Sequence, residues 1–245
     1  MKLLYKSLNI FIKSVMTGIC IAIGGIVYLS CDNKYIGALL FSTGLFIVLN
    51  FGCLLYTGKV GYLINERPSY LNVLLCIWAG NFVGTTTTAI VISQTRLSNI
   101  TEKATVLAET KLNDTPISIF FLSIFCGMLM YVAAEGYKRI ENSVGKNLAT
   151  FLPVVVFILC GFEHCVANMF YFAAAQEWSL KMFTYLGIMT LGNSVGGVSC
   201  NLLANYQKTE KIRGVINEAC ESESNRHTNI KTIRRGDSII RRKFI

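Results

Sequence analysis

The sequence predicts an all-α membrane protein with six transmembrane helices, two of them interrupted, arranged as an inverted repeat. Three observations carry this prediction. Of 245 residues, 53% are hydrophobic and only 15% charged, against about 25% charged in an ordinary soluble domain. The apolar residues gather in runs of about 20, the length that crosses roughly 30 Å of hydrocarbon. The second and fifth runs carry glycines and polar groups where the apolar pattern would continue. Such a matched pair of broken segments points to a binding site between two halves, runs one to three and runs four to six.

The spans follow in order at residues 14–31, 35–56 with a short continuation after Gly58, 69–93, 115–136, 148–175 and 182–206. Each is helical by length and by its lack of two-residue alternation. Lipid leaves backbone groups no partner outside the chain, so only helices or closed barrels cross it, and a barrel would alternate in segments of about ten residues. The connection at 94–114 is polar, mixed in charge and partly helical. Residues 1–206 form the transmembrane domain, and residues 207–245 a basic tail. The start Met1-Lys2-Leu3-Leu4 resembles a signal peptide, but no small-residue cleavage site follows, so the first helix is expected to be retained.

A net charge of +9 could suggest nucleic acid. Topology explains it better. With the N-terminus inside, most of the 23 lysines and arginines fall on the inner side, even with the tail left out. The positive-inside rule then places both termini in the cytoplasm of a protein of the cell's inner or plasma membrane. The expected partner is the bilayer, with no nucleic acid. Seven of the nine cysteines lie inside apolar runs and act there as small hydrophobes. No CxxC spacing occurs, so neither a metal, a cofactor nor a disulfide framework is assigned.

The fifth run holds Gly161-Phe162-Glu163-His164-Cys165 mid-way along its length. An ionisable group at bilayer depth costs roughly 2.5 kcal/mol or more, which makes it a candidate functional site. The matching irregularity in the second run is Tyr56-Thr57-Gly58-Lys59-Val60-Gly61. Freed backbone N–H groups at helix breaks can hold an anion, Thr57 supplies a hydroxyl, and His164 exchanges protons near neutral pH. Structural roles stand beside these. His164 could be a satisfied histidine between packed helices, Glu163 a support for the break, and Thr57 a back-bonding residue on its own helix. Gly18, Gly24, Gly25, Gly192, Gly196 and Gly197 are expected to permit close helix packing. An enzyme or metal carrier built on Glu163, His164 and Cys165 is disfavoured, because neighbours on a helix point about 100° apart and no second cluster completes a ligand set.

The stretch Gly161-Phe162-Glu163-His164-Cys165-Val166-Ala167-Asn168-Met169 resembles the signature around the central histidine of the formate/nitrite transporter family. Tyr56-Thr57-Gly58 resembles that family's Ω-loop, and Gly192-Asn193-Ser194-Val195-Gly196-Gly197 its sixth-span motif. The similarity covers about residues 1–206, with wording nearest the hydrosulfide-channel branch. It implies an aquaporin-like protomer in a homopentamer, with a pore in each subunit. It implies a central pore at His164, Thr57, Asn168, Lys146 and Asn193, with Lys146 as the family's lysine near the histidine. It implies apolar constrictions at Phe41 and Phe157 on one side, and at Leu45, Leu55 and Tyr56 on the other, with Glu163 supporting the helix break. Tyr56 departs from the common phenylalanine, and Gly127 from a frequent asparagine. The implied activity is passage of small monovalent weak-acid anions, namely formate, nitrite or hydrosulfide, with proton assistance past His164. The alternative is an aquaporin-like channel for small neutral solutes. Absence of Asn-Pro-Ala counts against that, since Asn168 is followed by Met169.

Overall fold

The computed structural model describes residues 2–97 and 99–243, with side-chain detail for 7–97, 99–210 and 212–213. The described chain is helical throughout. The helices are α1 (Lys2–Ser30), α2 (Lys34–Asn50), α3 (Thr57–Val60), α4 (Tyr70–Ser93), α5 (Asn99–Leu112), α6 (Pro116–Arg139), α7 (Ser143–Cys160), α8 (Cys165–Ala174) and α9 (Leu180–Lys243). Five segments are long and apolar enough to cross a membrane, at Ser7–Ser30, Tyr70–Ser93, Pro116–Arg139, Ser143–Cys160 and Leu180–Glu210. The first span therefore starts earlier than its apolar run suggests. The second is a 17-residue helix followed by a break.

The chain divides into two compact units, Met1–Asn201 and Leu202–Ile245. The second unit is helical to Lys243 where the sequence reads only as a basic tail. The tail's basic residues past Arg213, and His227 with them, lie outside the described side chains.

Local chemistry sets the helix starts. Asn33 accepts from the N–H groups of Tyr35 and Ile36 at the head of α2, Thr115 accepts from Ser118 at α6, and Asn142 accepts from Gly145 at α7. Side-chain oxygens in these positions satisfy donors that have no intrahelical acceptor. The connection between α4 and α6 is less polar than its composition suggests. Its helix α5 buries Ile100, Ala104, Ala108 and Leu112 on one face.

The first unit contains the same construction twice. Gly52 and Gly161 have φ of +62° and +69°, a conformation that a side chain disfavours. Both end a helix. Past Gly52, Cys53 N–H reaches back to Val48 O at 2.9 Å, and past Gly161, Phe162 N–H reaches back to Phe157 O at the same distance. The second helix thus breaks at Gly52, earlier than the expected Gly58 and Gly61, because only Gly52 takes the left-handed turn. Gly58 sits inside α3.

Each break is held by one asparagine. Asn81 on α4 donates to Ser14 O at 2.8 Å and Leu54 O at 2.9 Å, and accepts from Tyr56 N–H at 2.9 Å. Asn193 on α9 donates to Ser123 O at 2.7 Å and Glu163 O at 2.8 Å, and accepts from Cys165 N–H at 2.9 Å. Both amides are buried. Ser14 pairs with Ser123, Gly52 with Gly161, Leu54 with Glu163 and Tyr56 with Cys165 at one fixed offset along the chain.

Glycine sets how closely the helices approach. A Cβ on Gly84 would lie 2.1 Å from Val15 O, and one on Gly196 2.0 Å from Ile124 O. Gly127 likewise faces Asn193 O, at 2.2 Å from such a Cβ. That contact leaves no room for the asparagine expected there.

Replacing either clamp removes three hydrogen bonds and strands buried backbone groups. Asn81→Ala and Asn193→Ala should each cost about 3 kcal/mol or more, read as comparable drops in the unfolding midpoint of detergent-purified protein. A large drop confined to one of them would contradict the equivalence of the two breaks.

Candidate functional site

His164 is the first residue before α8, in extended backbone at φ −97° and ψ 110°. It caps the helix with its ring: Nδ1 accepts from Ala167 N–H at 3.0 Å. An accepting nitrogen carries no proton, so in the neutral ring the proton sits on Nε2. Nε2 lies 2.8 Å from Thr57 Oγ1, and that tautomer makes Nε2–H the donor. Thr57 is the first residue of α3 and is fully buried. One hydrogen bond thus joins the restart of the second helix to the restart of the fifth, rather than Thr57 back-bonding within its own helix.

Aromatic rings continue the block. Phe157 lies over the imidazole with centroids 5.4 Å apart at 25°, and Phe41 meets Phe157 edge to face at 5.8 Å. Both phenylalanines are buried.

A cavity lies on each side of this block. One, of about 190 Å³, is lined by Lys34, Lys111, Phe157, His164, Asn168 and Tyr171 among others. The other, of about 170 Å³, is lined by Leu45, Leu55, Lys59, Tyr137 and Lys138 among others. The two share no lining residue.

Glu163 turns away from the imidazole into a polar cluster. Its carboxylate accepts from Lys111 Nζ at 2.7 Å and from Asn168 Nδ2 at 2.6 Å. The Lys111 side chain is 13% exposed and that of Glu163 4%, so this is a buried ion pair. Lys34 Nζ donates to Leu159 O at 3.1 Å, which satisfies a carbonyl at the end of α7.

The structure separates three expected pore residues from this centre. Lys146 sits in the first turn of α7, its ammonium 4.3 Å from the centre of the Tyr137 ring. From Lys146 to Cys160 the helix rises about 21 Å, so Lys146 cannot be the lysine near the histidine. Lys111 holds that place. Asn193 lines neither cavity, because its whole amide is spent on the backbone of the break. Tyr56 lines neither cavity either. Its phenol donates to Ser194 Oγ at 2.9 Å, and Ser194 passes its own hydrogen to Thr190 O. The hydroxyl absent from phenylalanine therefore ties the break to α9. His164, Thr57, Asn168, Phe41, Phe157, Leu45 and Leu55 do lie in or beside the block and its cavities.

Lys111 had a signal in the sequence. Ile100, Ala104, Ala108 and Leu112 mark one face of α5, and Lys111 falls on its edge three residues after Ala108. The asparagine clamp at Asn81 is legible only through its pairing with Asn193.

At the Lys59 end, Tyr62 donates to the Glu135 carboxylate and accepts from Lys138 Nζ at 2.6 Å. Burial and then the neighbouring carboxylate push the Tyr62 phenol up. Asn201 anchors the same stretch through Gly61 O at 2.7 Å and Asn65 Oδ1 at 2.6 Å.

Removing one partner of a buried ion pair strands the other charge. Lys111→Met should cost about 3 kcal/mol or more, and Lys111→Met with Glu163→Gln should recover much of it. Lys146→Met should move the unfolding midpoint little. A Lys146→Met loss as large as that of Lys111→Met would contradict this placement.

Comparison with known proteins agrees with the architecture. Residues 1–207 match the family model described as Formate/nitrite transporter. The chain is 28% identical over 236 residues to the formate channel FocA of Haemophilus influenzae, covering 78% of this chain and 83% of that one. It is 25% identical to a formate-nitrite transporter of Plasmodium knowlesi, covering 86% and 82%. A solved structure titled FNT family ion channel superposes with a TM-score of 0.73 at 25% identity, over 82% of this chain and 90% of that one. A second, titled pentameric formate channel with formate bound, gives 0.62 at 21% identity over 86% and 98%, a likeness of fold. With a family match over most of its length and several apolar helices long enough to cross a bilayer, this chain is a multi-pass membrane protein of the formate/nitrite transporter family.

Proposed function

We propose that the protein conducts small monovalent weak-acid anions across the cell's inner or plasma membrane, formate foremost and nitrite and hydrosulfide as further substrates. It works as a homopentamer with one pore per subunit and both termini in the cytoplasm. Relatives named formate channels support formate, and the formate-bound pentamer of like fold supports the assembly. The charge asymmetry of the loops supports the orientation. The observation that carries the reading is the His164–Thr57 bond, which spans both helix breaks between two cavities.

The geometry supports a task for each residue. Lys34 and Lys111 give one cavity a positive wall that attracts an anion. Beyond it, Phe41 and Phe157, then Leu45 and Leu55, form apolar stretches that a bare ion crosses at high cost. A proton taken up in the cavity removes that cost. With Nδ1 occupied by Ala167 N–H, His164 has only Nε2–H to offer. It therefore holds the passing acid by donation, with the Thr57 hydroxyl beside it. The proton reaches the anion from the bulk solution through the Lys111 cavity, which is why flux should follow external pH. Glu163 orients Lys111 and Asn168 and holds the break.

Purified protein in proteoliposomes tests this with formate, nitrite, hydrosulfide and glycerol at two pH values. Anion flux should exceed the leak of protein-free vesicles and rise as pH falls. His164→Ala should lower it roughly fivefold, the scale of one hydrogen bond. Flux of glycerol without any anion would sink the reading. Full pH dependence retained in His164→Ala would remove that residue from the proton-linked step.

A further inference from the structure

Two residues that line the Lys111 cavity carry polar atoms that the folded chain leaves without a partner. Asn168 spends its amide hydrogens on Glu163 Oε2 at 2.6 Å and Met189 Sδ at 3.1 Å. That fixes which way the amide points, since the reverse orientation would set an oxygen against the carboxylate. The remaining atom, Asn168 Oδ1, accepts from nothing. Tyr171, one helical turn further along α8, has a buried hydroxyl that is likewise unpaired. Both residues line the same cavity as His164 and Lys111.

Such orphans are rare in this molecule. Buried Ser14, Thr17, Ser42, Thr57, Asn81, Thr85, Ser123, Thr150 and Asn193 all make hydrogen bonds. Among the described residues the unpaired buried side-chain atoms are Thr86 Oγ1, Asn168 Oδ1 and Tyr171 Oη. Two of the three line one cavity. Buried polar atoms normally find partners, and an unpaired one destabilises the fold, so each calls for an occupant. Neither atom is open to bulk solvent. Binding there requires the cavity wall to move far enough to expose them.

From the two orphans we infer that Tyr171 is a specificity-determining residue of this cavity, favouring an undissociated oxoacid over hydrogen sulfide. The inference rests on the transport function proposed above and names the residue that selects among its substrates. An acceptor such as Asn168 Oδ1 needs a donor, and a carboxylate has none. An undissociated acid supplies both sides: its O–H donates to Asn168 Oδ1, and its C=O or N=O accepts from the Tyr171 hydroxyl. Formic and nitrous acids fit this pattern. Hydrogen sulfide has only weak S–H donors and a weak acceptor sulfur, so it gains little from either group.

Tyr171→Phe in proteoliposomes is the test, with formate and hydrosulfide flux each measured above the leak of empty vesicles. The variant loses no hydrogen bond of the unliganded protein, so its unfolding midpoint should not fall. The half-saturating formate concentration should rise about fivefold, the scale of one hydrogen bond, while hydrosulfide flux stays as in the parent. An equal change for both substrates, or none for either, would overturn the inference and leave the orphans to resident water. A parent protein that passes no anion at all would overturn the proposed function, and this inference with it.

Discussion

Backbone that leaves a helix inside a membrane must find its hydrogen-bond partners within the protein, and this chain leaves a helix there twice. Everything distinctive about the fold answers that demand. Asn81 and Asn193 each spend a whole side-chain amide on the loosened backbone. The glycines at 84 and 196 let α1 and α6 come close enough for those amides to reach. Gly52 and Gly161 turn the chain out of its helix without strain.

The two breaks share a backbone and differ in side chains, and the difference is where chemistry enters. The first reads Leu54-Leu55-Tyr56, apolar until the phenol that leans on Ser194. The second reads Glu163-His164-Cys165 at the equivalent positions. One half therefore supplies apolar side chains and the other an imidazole. His164 hydrogen-bonds to the first half through Thr57, and capping α8 leaves Nε2 as the nitrogen free for that bond. The Lys111–Glu163 pair lies beside this contact and keeps the buried carboxylate from standing as a bare charge.

Much of this was legible in the sequence, because apolar run length and an ionisable pair at bilayer depth are local signals. They located the helical spans, the break at Gly161, and His164 opposite Thr57. What escaped were long-range contacts. Lys111 read as one more charge in an outer connection, since the apolar face of α5 does not by itself say which span it folds back onto. Lys146 took its place through the family resemblance, though a helix carries it about 21 Å from the end that matters. The break at Gly52 was hidden by Gly58 and Gly61, which look equally disruptive until φ is known. The fixed offset linking Ser14 to Ser123, Gly18 to Gly127 and Gly52 to Gly161 was present in the sequence all along. Asn81 and Asn193 are 112 residues apart, as are Gly84 and Gly196, so the repeat shifts by three residues between the breaks and the third helix of each half, and the two asparagines escaped it.

The account turns on how His164 is held, and nitrogen-15 NMR of histidine-labelled protein in lipid nanodiscs observes that directly. His164 and His227 are the chain's two histidines, so a His227→Gln sample assigns the spectrum. At neutral pH the His164 ring should show an unprotonated Nδ1 and a protonated Nε2, with Nε2 shifting in Thr57→Val. A proton on Nδ1, alone or together with one on Nε2, would contradict the capped arrangement and the role built on it.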